Sequence, residues 1–149
     1  MLPGMRIKRI LLATDFSTQA RHALDYACEL SQRLQAPLLI VSAFQIPMYP
    51  LPEGAFVAGG PAIAEIVDRV SRDLTAEQKL AVERGAKDVE TLVVEGAPAV
   101  EVVRVAKEHE ADLIVIGSHG RGGFSRAILG SVADRVMRTA HCPVMIVAH

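Results

Sequence analysis

Five runs of consecutive apolar residues recur along the chain: Ile10-Leu11-Leu12-Ala13, Leu38-Leu39-Ile40-Val41, Thr91-Leu92-Val93-Val94, Leu113-Ile114-Val115-Ile116 and Val144-Met145-Ile146-Val147. A strand with one wet face alternates apolar and polar residues, whereas an unbroken apolar run belongs to a strand covered on both faces. The stretches between the runs have helical periodicity. Ala20, Ala23, Leu24, Ala27, Leu30 and Leu34 make one stripe, and the pairs Arg21 with Asp25 and Glu29 with Arg33 sit four apart on the opposite face. Ser17 or Thr18 can cap that helix; a second is expected over Ile63 to Arg84, a third from Pro98 to His109, and a fourth from a Ser131 cap to Thr139. Strands alternating with helices give an α/β fold: a doubly wound five-stranded parallel sheet with helices on both faces, expected in the order 3-2-1-4-5. Residues 1–149 form one domain in this reading, without internal repeats.

At 149 residues, half of them apolar, the chain is long enough for a full core. A formal net charge of −1 supplies neither the basic field that nucleic acid requires nor a polybasic membrane patch. Met1 to Arg9 carries no long apolar signal segment, and no stretch approaches the ~18 apolar residues of a membrane span, so a cytoplasmic location is expected. Cys28 continues an apolar helix stripe and Cys142 precedes Pro143 at the start of a strand, so both are read as reduced packing residues. His141 beside Cys142 lacks the second ligand pair of a zinc site.

Residues 45–61 break the regularity with Pro47, Pro50, Pro52, Pro61 and several glycines, yet include Ile46, Met48, Tyr49, Leu51, Phe56 and Val57. A lid over a crevice, a subunit contact and a loop with a few apolar anchors all fit that composition.

The chemistry concentrates in Gly117-Ser118-His119-Gly120-Arg121-Gly122-Gly123-Phe124-Ser125-Arg126-Ala127-Ile128-Leu129-Gly130-Ser131, directly after the fourth strand. Glycines let backbone N–H groups converge on a ligand, and Gly130-Ser131 opens a helix whose first N–H groups are unpaired, the arrangement that suits an anion. No Gly-Lys-Ser/Thr is present, and the first strand runs into Thr14-Asp15-Phe16-Ser17 where a dinucleotide fold has its glycines, so neither of those motifs applies. In the expected strand order the ends of the first and fourth strands are neighbours at the switch point, which brings Asp15 beside the glycine turn.

The spacing Gly117, two residues, Gly120, nine residues, Gly130-Ser131 resembles the ATP-binding signature of the universal stress protein family. The resemblance extends over the opening strand Lys8 to Ser17, over Ala111 to Arg121, and over Gly130-Ser131-Val132-Ala133 and Cys142-Pro143-Val144. It implies a Rossmann-like fold of the adenine nucleotide alpha hydrolase type that binds ATP, or ADP or AMP, with Mg²⁺ at the phosphates. Ala13, Thr14 and Asp15 then face the nucleoside, main chain at Ala43 meets the adenine edge, and Ile116, Gly117, His119, Gly120, Arg121, Gly130, Ser131 and Val132 surround ribose and phosphates. It also implies a homodimer, and the last strand, Val144 to Val147, is the expected contact, because an edge strand without charge or proline is a template for pairing.

Several roles stay open at this level. Asp15 can contact the ligand or cap the first helix. Arg121 and Arg126 can neutralise phosphate or simply be solvated, and Ser125 can meet a phosphate, accept one, or lie exposed. His119 has no carboxylate to orient it and forms no triad with a serine, so a loop-ordering hydrogen bond is its expected role. Nucleotide binding is the leading expectation; a slow ATPase or phosphotransferase and a nucleotide-free interaction module are the alternatives.

Overall fold

The computed structural model describes residues 4, 6–57, 59–120 and 128–148. The apolar runs become strands β1 (Ile10–Ala13), β2 (Pro37–Phe44), β5 (Lys87–Glu95), β6 (Leu113–Gly117) and β7 (Val144–Val147). They form one all-parallel sheet in the order β5-β2-β1-β6-β7, which is the expected 3-2-1-4-5 winding. β1 lies at the centre, and Ile10, Leu11 and Leu12 have no exposed surface.

The continuous apolar runs are explained by what each face meets. Ile10, Leu12, Leu38, Ile40, Leu113 and Val115 point to a core completed by helices α1 (Thr18–Leu34) and α2 (Gly60–Glu83). The alternate residues Leu11, Ala13, Leu39, Val41, Ile114 and Ile116 point to a second core completed by α3 (Pro98–Glu108) and α4 (Ser131–Thr139). A strand buried on both sides has no polar alternation to display.

Helix boundaries follow local chemistry. Ser17 caps α1, its Oγ accepting from the Ala20 N–H at 3.2 Å, and Gln35 closes the helix in a left-handed conformation. Pro98 lies in the first turn of α3 as expected, and Pro61 in the first turn of α2 starts that helix at Gly60, ahead of the expected Ile63. At α4 the expected Ser131 cap is corrected: Gly130 is the cap and Ser131 the first helical residue.

The segment 45–61 also differs from the loop expected of it. β3 (Met48–Leu51) and β4 (Gly54–Val57) pair antiparallel, with Met48 opposite Val57 and Leu51 opposite Gly54. Gly54, at φ +123°, supplies a turn conformation that residues with a side chain resist. The two strands pack chiefly on each other, and Met48 and Leu51 are exposed.

Cys28 and Cys142 are free thiols. Burial, with a smaller contribution from the Glu77 charge, pushes the Cys28 thiol up to about 11, which suits packing and not nucleophilic chemistry. Among the described residues no helix is long and apolar enough to cross a membrane.

Candidate functional site

A crevice of about 320 Å³ opens at the carboxyl ends of the strands, where β1 and β6 lie side by side and the winding changes direction. Ala13, Thr14 and Asp15 reach it from β1, Val41 and Ala43 from β2, and Ile116 to Gly120 from β6 and the turn that follows. Gly130 to Ala133 enter from the start of α4, Pro98 and Val102 from α3, and Ala20 from α1. Every described residue that the resemblance assigns to the ligand thus lines one hollow. Arg121, like Ser125 and Arg126, lies outside the described residues.

The β1 end is held by short-range hydrogen bonds. The Thr14 N–H donates to the Val41 carbonyl at 2.9 Å, and Thr14 Oγ1 accepts from the Phe16 N–H at 3.1 Å. Asp15 Oδ1 accepts from the Ser17 N–H at 3.0 Å, an Asx turn that leads the chain into α1. The helix cap is therefore Ser17, and Asp15 braces the turn before it while lining the crevice. Asp15 is the one carboxylate among the described lining residues.

The loop glycines serve close approach. None of Gly117, Gly120 and Gly130 has a left-handed φ, so backbone freedom is not what selects glycine there. A Cβ at Gly117 would lie 3.0 Å from the Gln19 carbonyl of α1, one at Gly120 would lie 2.6 Å from Asp15 Oδ2, and one at Gly130 would lie 2.7 Å from the Ser118 carbonyl oxygen. Glycine thus lets the turn nest against α1, the Asp15 carboxylate and itself.

Ser118 ties the base of the turn together. Its N–H donates to the Val147 carbonyl of β7 at 3.0 Å, and its carbonyl accepts from the Gly130 N–H at 2.7 Å. Its Oγ meets His119 Nδ1 at 3.0 Å, and His119 Nε2 reaches the Ile128 carbonyl. A neutral imidazole that accepts at Nδ1 and donates at Nε2 satisfies both contacts. His119 is the loop-ordering residue expected of it, fastening residue 119 to residue 128.

Ala20, Val41, Pro98, Val102, Ser118 and Ala133 were not anticipated as lining residues. Five of these are small or apolar residues whose periodicity marks them as core, and only Ser118, within the glycine turn, offered a signal. Among the described residues no group of three or more His, Cys, Asp or Glu side chains is placed to hold a metal ion.

An apolar hollow at the switch point of a doubly wound sheet, with a glycine turn and a helix N-terminus on one wall and a carboxylate beside them, places the chain among the doubly wound α/β domains that carry a crevice at the strand ends. The model of the universal stress protein family matches residues 6–148, and the chain belongs to that family. It is 36% identical over 143 residues to a universal stress protein of Methanocaldococcus jannaschii, covering 94% of this chain and 81% of the relative. It is 33% identical over 145 residues to the universal stress protein YxiE of Bacillus subtilis, covering 93% and 97%. Among solved structures, UspA from Lactobacillus plantarum superposes with a TM-score of 0.81 at 27% identity, over 97% of this chain and 99% of that one. A universal stress protein in complex with cAMP superposes at 0.67 and 29% identity, covering 95% and 97%. One from Archaeoglobus fulgidus in complex with dAMP superposes at 0.68 and 25% identity, covering 96% and 99%.

Proposed function

We propose that the crevice binds an adenine nucleotide, ATP foremost and ADP or AMP in the same seat, and that the protein works as a nucleotide-binding, stress-response homodimer in the cytoplasm. The observation that carries this reading is the convergence on one hollow of an apolar wall for a base and the Gly130-Ser131 helix start for an anion. The two relatives solved with cAMP and dAMP support the adenine part of the ligand.

In this arrangement Ala13, Thr14, Asp15 and the main chain of Ala43 take the nucleoside, and Ile116 forms the floor. Gly117, Gly120, Gly130, Ser131 and Val132 surround ribose and phosphates, His119 holds the turn, and Arg121 adds counter-charge. A Mg²⁺ arriving with the phosphates would be held mainly by phosphate oxygens and water, with Asp15 as the one carboxylate among the described lining residues. The dimer forms through Val144 to Val147.

Protein purified without added nucleotide and gently denatured should release an adenine nucleotide identifiable by mass spectrometry, and calorimetry on the stripped protein should show ATP binding. Asp15→Asn should weaken that binding by about tenfold, because a hydrogen bond to a charged group contributes about 1.5–3 kcal/mol and the amide keeps the brace to Ser17. No adenine nucleotide affinity in the wild type rejects the reading; unchanged affinity in Asp15→Asn confines Asp15 to bracing the turn.

A further inference from the structure

The apolar stripe of α2 contains one acid. Leu74, Glu77 and Ala81 are its buried residues, and Glu77 is 3% exposed. One carboxylate oxygen pairs with Arg21 Nη2 at 3.2 Å across the α1–α2 seam, while Oε2 is buried with no hydrogen-bond partner among the described residues. A buried polar atom left unsatisfied in a native fold calls for a reason.

The seam adjoins the crevice through a single turn. Thr14 and Asp15 line the crevice, whereas the next residue, Phe16, lines a groove on the α1–α2 side together with Arg21, Asp73, Glu77 and Leu80. Phe16 is held at φ +64°, a left-handed conformation that a bulky side chain resists, and it packs against the α1–α2 core. Arg21 lies one turn into α1, and its N–H donates to the carbonyl of the cap residue Ser17 at 3.0 Å. The Arg21–Glu77 bridge therefore ties α2 to the first turn of α1, and that turn to the shoulder carrying Asp15.

We propose that Glu77 is an acid-sensitive latch: ionised, it holds Arg21 and keeps the Thr14–Ser17 shoulder in the shape that binds ligand; protonated, it releases Arg21 and weakens the crevice. The inference rests on the crevice being the nucleotide site. Glu77 faces Arg21 and Cys28 on α1 and Asp73 on its own helix, with Lys79 and Glu83 further along the groove. Burial raises the Glu77 carboxyl above its ordinary value, the Arg21 charge and hydrogen bond oppose that rise, and Asp73 adds to it.

The raised direction fixes the sign of the stability effect. Between the ordinary carboxyl value and the raised one the folded state binds more protons than the unfolded, so stability rises as pH falls through the folded value and is lost again as pH climbs. Affinity should move the other way, because the ionised form holds the shoulder. Glu77→Gln, permanently uncharged, should accordingly unfold at a higher temperature than wild type at neutral pH yet bind ATP more weakly. A merely damaged fold cannot give that pair of results.

The experiment is a pH series from neutrality down through the carboxylate range to the acid limit of folding, on wild type and Glu77→Gln, following ATP affinity, thermal unfolding and the amide NMR signals of Phe16 and Ser17. In wild type, affinity should fall by about fivefold toward acid, the low end of ordinary coupling, and the variant should lack that part of the pH dependence. In the ligand-free proteins the Phe16 and Ser17 signals should follow a titration in wild type that vanishes in Glu77→Gln. Wild-type signals that do not titrate, or that titrate equally in the variant, overturn the latch whether or not ATP binds. Absent ATP binding with the titration present removes the nucleotide reading and, with it, the latch's effect on affinity. ATP binding with identical pH dependence in both proteins rejects the coupling alone.

Discussion

At the scale of single residues, the loop glycines separate two demands that a spacing motif presents as one. At Gly120 an added Cβ meets the end of the Asp15 side chain, which can swing aside; at Gly130 it meets the Ser118 backbone carbonyl, which is fixed by the Gly130 N–H. Gly120→Ala should therefore fold with stability within about 1 kcal/mol of wild type but displace the carboxylate and lower ATP affinity several-fold. Gly130→Ala should destabilise the fold by about 1–3 kcal/mol, because overpacking against immobile backbone has no inexpensive relief. Denaturant unfolding and calorimetry on both variants decide the matter, and equal losses of stability would refute the distinction. The expected strand order put Asp15 beside the glycine turn, but the spacing could not say that Gly120 meets its carboxylate or that Gly130 folds back on the Ser118 carbonyl. Glu77 was hidden for a related reason: an acid on an exposed helix looks the same in sequence until the partner helix is placed over it.

Among the elements, legibility followed burial. β1, β2 and β6 declared themselves because burial on both faces leaves unbroken apolar runs, and the partly buried edge strands β5 and β7 keep shorter apolar runs within them. The four helices showed at helical periodicity, with Ser17 and Pro98 marking their starts. β3 and β4 were illegible because Pro47, Pro50 and Pro52 with Gly54 mask the short pairing. Met48 and Leu51, three apart in one strand, fall on opposite faces of the ribbon, and both are exposed. An isolated two-stranded hairpin is marginal in water. Amides of β3 and β4 should then exchange with solvent through local opening of low free energy, while those of β1 exchange only on global unfolding. Hydrogen exchange on the ligand-free protein tests this; protection of the hairpin equal to that of β1 would mean another surface covers it.

For the whole molecule, the sheet leaves two edges of unequal character. β5 carries Lys87, Asp88, Glu90 and Glu95, and its left-handed Asp88 accompanies a register shift opposite Pro37 to Leu39, all of which discourage a further strand. β7 has neither charge nor proline, and Val144, Met145 and Ile146 remain partly exposed. Its carbonyls at Pro143 and Val147 accept from the Ile114 and Ser118 N–H groups of the β6 side. By the alternation of a parallel ladder, the backbone groups of Val144 and Ile146 point away from β6 toward the open edge. Antiparallel pairing with the same strand of a second copy would satisfy them under two-fold symmetry. Ile146→Pro removes an outward donor without touching the β6 ladder, so it should convert a wild-type dimer to a folded monomer, while Ile146→Val should stay dimeric. Sedimentation at micromolar concentration, with circular dichroism to confirm folding, makes the comparison. A monomeric wild type would discard the dimer, and a dimeric Ile146→Pro would move the contact to another face. The same β7 strand receives the Ser118 N–H that anchors the glycine turn, so a dimer built on this edge would stiffen the floor of each crevice from behind.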